Sequence, residues 1–256
     1  MILFDQLIFG PIHSRRLGLS LGVNLLPIDA KICSFNCIYC ECGFNTTMQE
    51  SPIPTRYQVR EALETKLKQM AAEGQIPDVI TFAGNGEPTL HAEFEGIIDD
   101  TIYLRNDYCP SAKVSVLSNS TKIHKPSIFR ALNKVDNNIL KFDSAIDRTM
   151  KLMDCPVGRH FTVKWLVEQL QRFDGRLIIQ TMFLRGEVKG EIVDNTTETE
   201  VNSWLKALEK IKPQQVMIYS LDREAPTKNL EKISTEELDI IAKKVEALGF
   251  EASVAI

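Results

Sequence analysis

Val79-Ile80-Thr81-Phe82-Ala83-Gly84-Asn85-Gly86-Glu87-Pro88-Thr89 is an apolar run that ends in a glycine-rich turn. Its first four residues predict a short buried strand. Upstream, residues 55–73 carry Val59, Leu63, Leu67 and Met70 at helical spacing. Downstream, residues 92–105 read as a second helix. The same unit recurs along the chain. Strand-like runs lie at 19–25, 79–82, 114–117, 139–142, 177–183 and 216–220, and a last short strand is expected at 251–256. Helical stretches lie between them at 55–73, 92–105, 127–135, 161–173, 197–210 and 235–248. Ser127 and Thr235 are expected as N-caps, the latter with Glu237 close behind.

Strands alternating with helices imply an α/β fold with parallel pairing and right-handed crossovers. Six units fall short of an eight-stranded barrel. The expected architecture is therefore a partial (βα)6 barrel, open and TIM-like, with a flat doubly wound sheet as the alternative. In both, ligands bind at the carboxyl ends of the strands. Polar residues gather there: Gly84, Asn85, Gly86 and Glu87 after one strand, Ser118 and Asn119 after the next, and Asp143 and Ser144 after a third. The segment 219–223, with Asp222 and Arg223, follows the sixth. Gln180 sits inside the fifth apolar run, where its amide needs a partner.

The chain has 256 residues, 44% hydrophobic and 25% charged, with a formal net charge of −4. It can bury a core without staples, and its charge does not point to nucleic acid, although a local basic patch would suffice for an RNA substrate. No stretch approaches the roughly 20 apolar residues of a membrane span. Asp5 interrupts the N-terminal apolar run, which makes a poor signal peptide. A cytoplasmic protein is expected, with six reduced cysteines. No linker marks a boundary, so one domain is expected over 1–256. Its parts are an N-terminal segment and first strand (1–30), a cysteine loop (31–44) and the remaining βα units (45–256).

Cys33, Cys37, Cys40 and Cys42 fall within ten residues, and Cys109 and Cys155 stand alone. Cys33-Ser34-Phe35-Asn36-Cys37-Ile38-Tyr39-Cys40 can turn three thiolates toward one metal centre. Such ligands select zinc or an iron–sulfur cluster. Cys42 could complete a zinc site or an ordinary electron-transfer cluster, or be a free thiol. A free thiol is the preferred reading, as it is for Cys109 and Cys155. His91 and His124 read as surface residues.

Cys-x-x-x-Cys-x-x-Cys with an aromatic before the last cysteine resembles the signature of the radical S-adenosylmethionine superfamily. The resemblance implies a 4Fe–4S cluster on Cys33, Cys37 and Cys40, whose fourth iron chelates the methionine part of S-adenosylmethionine. It also implies one-electron cleavage of the sulfonium and removal of a hydrogen atom from a substrate by the 5′-deoxyadenosyl radical. Tyr39 would pack near the adenine. Gly84, Asn85, Gly86 and Glu87 resemble the family's Gly-Gly-Glu-type motif for the cofactor's ammonium, with Asn85 in the first glycine's place. Ser118 and Asn119 would contact carboxylate or ribose, and Asp143 and Gln180 ribose hydroxyls. Turn, cap or core roles are the plain structural alternative for each.

Residues 10–24, the Gly-Glu-Pro-Thr-Leu run at 86–90 and the segment 219–226 resemble a group related to the tRNA wyosine-base synthases. Those enzymes hold a second cluster on further upstream cysteines. This chain has none before Cys33, which sets it apart from their pyruvate-condensing reaction. It also has none after Cys155, where many peptide-modifying relatives carry an auxiliary cluster. His13, Arg15 and Arg16 are candidate contacts for an anionic substrate. Lys141, Asp222 and Arg223 are candidate catalytic residues at the barrel mouth. The favoured reading is a radical enzyme acting on a small molecule or a nucleotide, fed by an electron donor such as flavodoxin or ferredoxin. A glycyl-radical activase and a non-enzymatic zinc or iron–sulfur module are the alternatives.

Overall fold

The computed structural model describes residues 2–14, 17–46, 49–158 and 161–255. Its main sheet contains seven parallel strands: β2 (Gly18–Val23), β3 (Val79–Phe82), β4 (Lys113–Ser118), β5 (Asn137–Lys141), β6 (Ile178–Met182), β9 (Gln215–Tyr219) and β11 (Glu251–Ala255). They are neighbours in that order. An eighth strand, β1 (Ile8–Ser14), pairs antiparallel with β2 at one edge. The sheet curls into an open half-barrel, the partial TIM-like fold expected. The last short strand expected is β11, which pairs as a seventh parallel strand on β9; β1, covering the β2 edge, was not expected.

Helices α1 (Arg56–Ala72), α2 (Phe94–Tyr108), α3 (Pro126–Leu132), α5 (Val163–Gln171), α6 (Glu198–Ile211) and α7 (Thr235–Ala247) match the six expected stretches. The short α4 (Asp147–Asp154) was not expected. In α1 the Thr55 hydroxyl accepts from the Gln58 N–H while the Gln58 side chain accepts from the Thr55 N–H, and the buried stripe is Val59, Leu63, Leu67 and Met70. Two caps differ from expectation. Lys125 precedes α3, because Pro126 suits the first helical position, where its missing N–H leaves nothing unpaired. Ser234, not Thr235, caps α7 and accepts from Glu237 N–H.

Alternation along the strands separates two layers. Leu21, Val23, Ile80, Phe82, Val114, Val116, Leu140, Ile179, Val216 and Ile218 face the helices in the main core. Their neighbours face the barrel lumen. Deep in the lumen Ile139, Ile178 and Met217 pack against Leu17 and Leu117. Toward the strand C-termini inward positions turn polar, as Lys141 and Gln180 follow Ile139 and Ile178 two residues on; on the β2–β3 side of the lumen Ser20 and Thr81 share a hydroxyl–hydroxyl bond of 2.8 Å. An antiparallel sheet of β10 (Leu230–Lys232), β7 (Leu184–Val188) and β8 (Glu191–Asp194) flanks that end. It packs with the cysteine loop in a second apolar cluster containing Phe35, Ile38, Met153, Met182 and Leu221. No described helix is long and apolar enough to cross a membrane.

Candidate functional site

The cysteine loop leaves β2 and passes over the strand ends. Backbone bonds to distant segments set its path. Ile32 bridges Gly86: Ile32 N–H donates to Asn85 O at 2.9 Å, and Glu87 N–H donates to Ile32 O at 3.1 Å. Gly86 has φ +135°, and a Cβ there would stand 1.8 Å from Ile32 O, so only glycine permits this approach. On the other flank Asn36 N–H donates to Asp154 O, Ile38 N–H to Met153 O and Val157 N–H to Ser34 O, each at 2.9 Å. Inside the loop Asn45 Nδ2 donates to Cys33 O and Phe35 O at 3.0 and 3.1 Å.

Cys33, Cys37 and Cys40 thereby line one wall of a cavity of about 270 Å³. Gly84, Gly86, Glu87, Ser118, Asn119, Tyr39, Lys141, Gln180, Asp222 and Arg223 also line it. Burial pushes the Cys33 thiol up to about 11 and raises Cys37 well above its ordinary value, with Asp154 adding to the latter. A hydrogen bond from Cys42 pulls Cys40 down to about 5, aided by Lys31. The Cys42 sulfur also lies 3.5 Å from Gly84 O, an alternative acceptor for its one thiol proton. Across the cavity Gln180 is 7% exposed, and its Nε2 has no hydrogen-bond partner among the described residues. An unpaired buried amide donor is costly unless something else occupies the space it faces.

Beside this wall lies a buried network. Lys141 Nζ donates to Tyr39 Oη at 2.5 Å and lies 3.3 Å from Asp143 Oδ2. The Tyr39 hydroxyl donates to Asp143 Oδ2 and stands 3.1 Å from Asp154 Oδ1. Burial is the largest effect and disfavours the Lys141 ammonium, but Asp143, Tyr219, Cys37 and Asp154 together outweigh it and hold the group well above its ordinary value. Burial and then Asp143 push the Asp154 carboxyl well up.

A second cavity, about 340 Å³, occupies the lumen under β1. It shares Ala83, Leu117, Gln180, Glu41, Asp222 and Arg223 with the first, and adds Phe4, Phe9, Ile12, His13, Ser20 and Thr81. Gln180 stands on the border of the two. Arg223 is paired to Glu41 at 2.7 Å across their common mouth.

Comparison with known proteins decides the family. The model of the radical SAM superfamily matches residues 28–199. The chain belongs to the radical SAM superfamily. Radical SAM proteins are iron–sulfur enzymes that use a 4Fe–4S cluster and S-adenosylmethionine, and this chain is an enzyme of that type. The residues present fit these groups: three soft thiols on one wall and an unsatisfied amide donor on the other. Among curated relatives, a protein named GTPase Obg from Brachyspira hyodysenteriae is 29% identical over 94% of this chain, which spans only 33% of that protein. A UPF0026 protein of Synechocystis is 30% identical over 86% of this chain and 77% of its own length. The fold matches a radical SAM methyltransferase from Sphaerobacter thermophilus, with a TM-score of 0.65 and 13% identity over 92% of this chain and 65% of that one. It also matches TYW1 with a lysine–pyruvate adduct bound, with a TM-score of 0.62 and 16% identity over 89% and 73%.

Several expected site residues point elsewhere. Asn85 is fully buried and does not line either cavity; its amide bonds Phe4 N and O at 2.8 and 2.9 Å and Pro27 O at 2.8 Å, pinning the N-terminal segment below the turn. Asp143 lines neither cavity and serves Tyr39, Lys141 and the Met182 N–H. Glu87 borders the first cavity, but Oε1 accepts from Thr89 N and Ser118 Oγ at 3.1 and 2.9 Å, and Oε2 from Asn119 N at 2.6 Å. His13 is exposed and borders the lumen cavity. Arg15 and Arg16 lie outside the described residues. His91 is a buried residue, not a surface one: it is 5% exposed, with Nε2 2.7 Å from Pro54 O and Nδ1 accepting from Glu93 N–H. Sequence reasoning missed two residues of this wall: Lys31, two positions before Cys33, and Asp154, which only the fold brings to within 3.7 Å of Cys37 Sγ.

Proposed function

We propose that Cys33, Cys37 and Cys40 hold the cluster, that S-adenosylmethionine fills the first cavity, and that a small molecule or nucleotide substrate enters the lumen cavity beneath it. When bound, the two groups supply one-electron cleavage of a sulfonium and removal of a hydrogen atom from a substrate. The chain's own residues place and shield. Three thiols grip one face of the cluster. Gln180 Nε2 donates to the cofactor from the opposite wall, satisfying an amide that otherwise has no partner. Tyr39, held by Lys141 and Asp143, packs the floor under that cofactor. Ser20, Thr81 and His13 offer polar contacts to a substrate, while Phe4, Phe9, Ile12 and Leu117 give it apolar contact. The Arg223–Glu41 pair covers the common mouth, limiting water where a reactive carbon must meet one C–H bond. An external one-electron donor, flavodoxin or ferredoxin in type, completes the system.

The observation that carries this reading is the continuity of the two cavities, with the cysteine wall on one and the unpaired Gln180 amide at their border. The test is anaerobic reconstitution of wild type and Cys37→Ala. Wild type is expected to turn brown and release 5′-deoxyadenosine on reduction, and the variant to do neither. Full activity in the variant refutes the ligand assignment.

A further inference from the structure

We propose that Lys31 and Asn119 are positioning residues that set the cluster's reduction potential, favouring its reduced state. The inference rests on the cysteine assignment above.

Lys31 is 2% exposed, yet among the described residues no carboxylate pairs with it; its Nζ donates to Gly43 O at 2.7 Å, and Gly43 N–H donates to Cys40 O at 2.8 Å. It lines the same cavity wall as Cys33 and Cys40. A buried ammonium without a counter-charge is costly. A cube held by three thiolates is a net anion, and more so after reduction. This ammonium, which no carboxylate among the described residues neutralises, stands on the same wall as Cys33 and Cys40, where a cluster anion would offset its charge.

Asn119 supplies a second, independent term. Its Oδ1 accepts from Thr121 N–H at 3.1 Å, a donor that cannot be an acceptor, so the NH₂ group must point the other way. That places Nδ2 3.3 Å from Cys33 Sγ and 2.9 Å from Ser34 Oγ. Asn119 is 6% exposed, and its own N–H is tied to Glu87. The amide is thus fixed on a cluster sulfur. Hydrogen bonds to ligand sulfurs and nearby charge are levers that set cluster potentials. Both groups stabilise the more negative state. The step is the entry of one electron from a low-potential one-electron donor, with no proton taken up and no bond made or broken.

The test is a potentiometric titration of the reconstituted holoenzyme, with the reduced cluster followed by electron paramagnetic resonance. Lys31→Met and Asn119→Asp are each expected to lower the reduced-to-oxidised ratio at fixed potential about tenfold, a shift of about 59 mV for one electron. Asn119→Asp keeps the acceptor that Thr121 needs but also adds a carboxylate charge beside Cys33, so the uncharged Asn119→Leu, which removes the same donor, isolates the hydrogen bond and is expected to shift the potential in the same direction. Lys31→Arg is expected to restore most of the loss. Variants that carry a full cluster, bind S-adenosylmethionine as wild type does and titrate at the wild-type potential overturn the proposal. Should those variants hold no cluster, wild type labelled with ¹⁵N in asparagine side chains decides by hyperfine spectroscopy: a weak coupling from an amide nitrogen supports the Asn119 contact, and its absence refutes it. A wild-type protein that forms no cube defeats the cysteine assignment instead.

Discussion

Gly86→Ala tests whether the cysteine loop depends on the turn after β3. An added Cβ would meet Ile32 O at 1.8 Å, Ile32 C at 2.5 Å and Leu26 Cδ1 at 2.8 Å. An ordinary contact begins at 3.4 Å, so the two backbones must part by about 1.6 Å (3.4 less 1.8). The Ile32–Asn85 and Glu87–Ile32 hydrogen bonds, at 2.9 and 3.1 Å, cannot survive that movement. Their loss removes roughly 0.5–1.5 kcal/mol each. The left-handed φ adds about 1–2 kcal/mol for an L-residue. The sum is about 2–5 kcal/mol, a large share of the roughly 5–15 kcal/mol that stabilises a typical domain. In a chain this long each kcal/mol lowers the melting temperature by roughly 2–4 °C. The assay is thermal unfolding of the cluster-free protein, read by circular dichroism, with iron content after reconstitution as a second readout. Ile32 directly precedes Cys33, so iron uptake is expected to fall with stability. A variant that melts with wild type and loads the same iron refutes the reasoning.

Asp100 joins α1 to α2 through Arg56 Nε at 2.7 Å and Arg60 Nη1 at 2.9 Å. Asp100→Asn is expected to destabilise by about 1–2 kcal/mol, after discounting for the exposed arginines. The Arg56 hydrogen bond depresses the Asp100 carboxyl. Its contribution is therefore complete above the ordinary aspartate value of roughly 4 and fades as pH falls through the folded value. Urea titrations of both proteins should converge in acid; a gap that persists there counts against the pairing. Cys42→Ser keeps a donor for Gly84 O and is expected to leave iron content and cluster spectrum unchanged, whereas loss of the cluster would make Cys42 a ligand. Gln180→Leu removes an unsatisfied buried donor, so urea unfolding should show the cluster-free protein gaining about 1 kcal/mol. Calorimetry should show the reconstituted variant binding S-adenosylmethionine up to about tenfold more weakly. Unchanged affinity would remove Gln180 from the cofactor site.

Periodicity located the parallel strands because most are buried along much of their length and read as mainly apolar runs, as in Val79–Phe82, broken by Thr81, and Ile178–Met182, broken by Gln180 and Thr181. It missed β1 and the β7, β8 and β10 sheet, whose half-exposed residues, such as Glu187, Glu191 and Glu231, give no such run. The three cysteines were legible because their spacing is local. The aim of a polar side chain at a strand end was not. Asn85 and Gln180 both read as amides near a ligand, yet one reaches back to Phe4 and Pro27 while the other is left unpaired at a cavity border. Only the tertiary partners distinguish them. Lys31 was invisible for the same reason: nothing in its neighbourhood along the chain marks a lysine that ends up buried.

The backbone bonds from Asn36 and Ile38 to the end of α4, and from Ile32 to the turn after β3, link residues far apart in the chain and use no thiol. The loop's course is thus inherited from a barrel already assembled. The polypeptide is therefore expected to fold before it receives its inorganic cargo, the reverse of small zinc modules in which the ion drives the collapse of the chain. Iron starvation should therefore leave behind a folded, protease-resistant reserve that can be charged later without new synthesis.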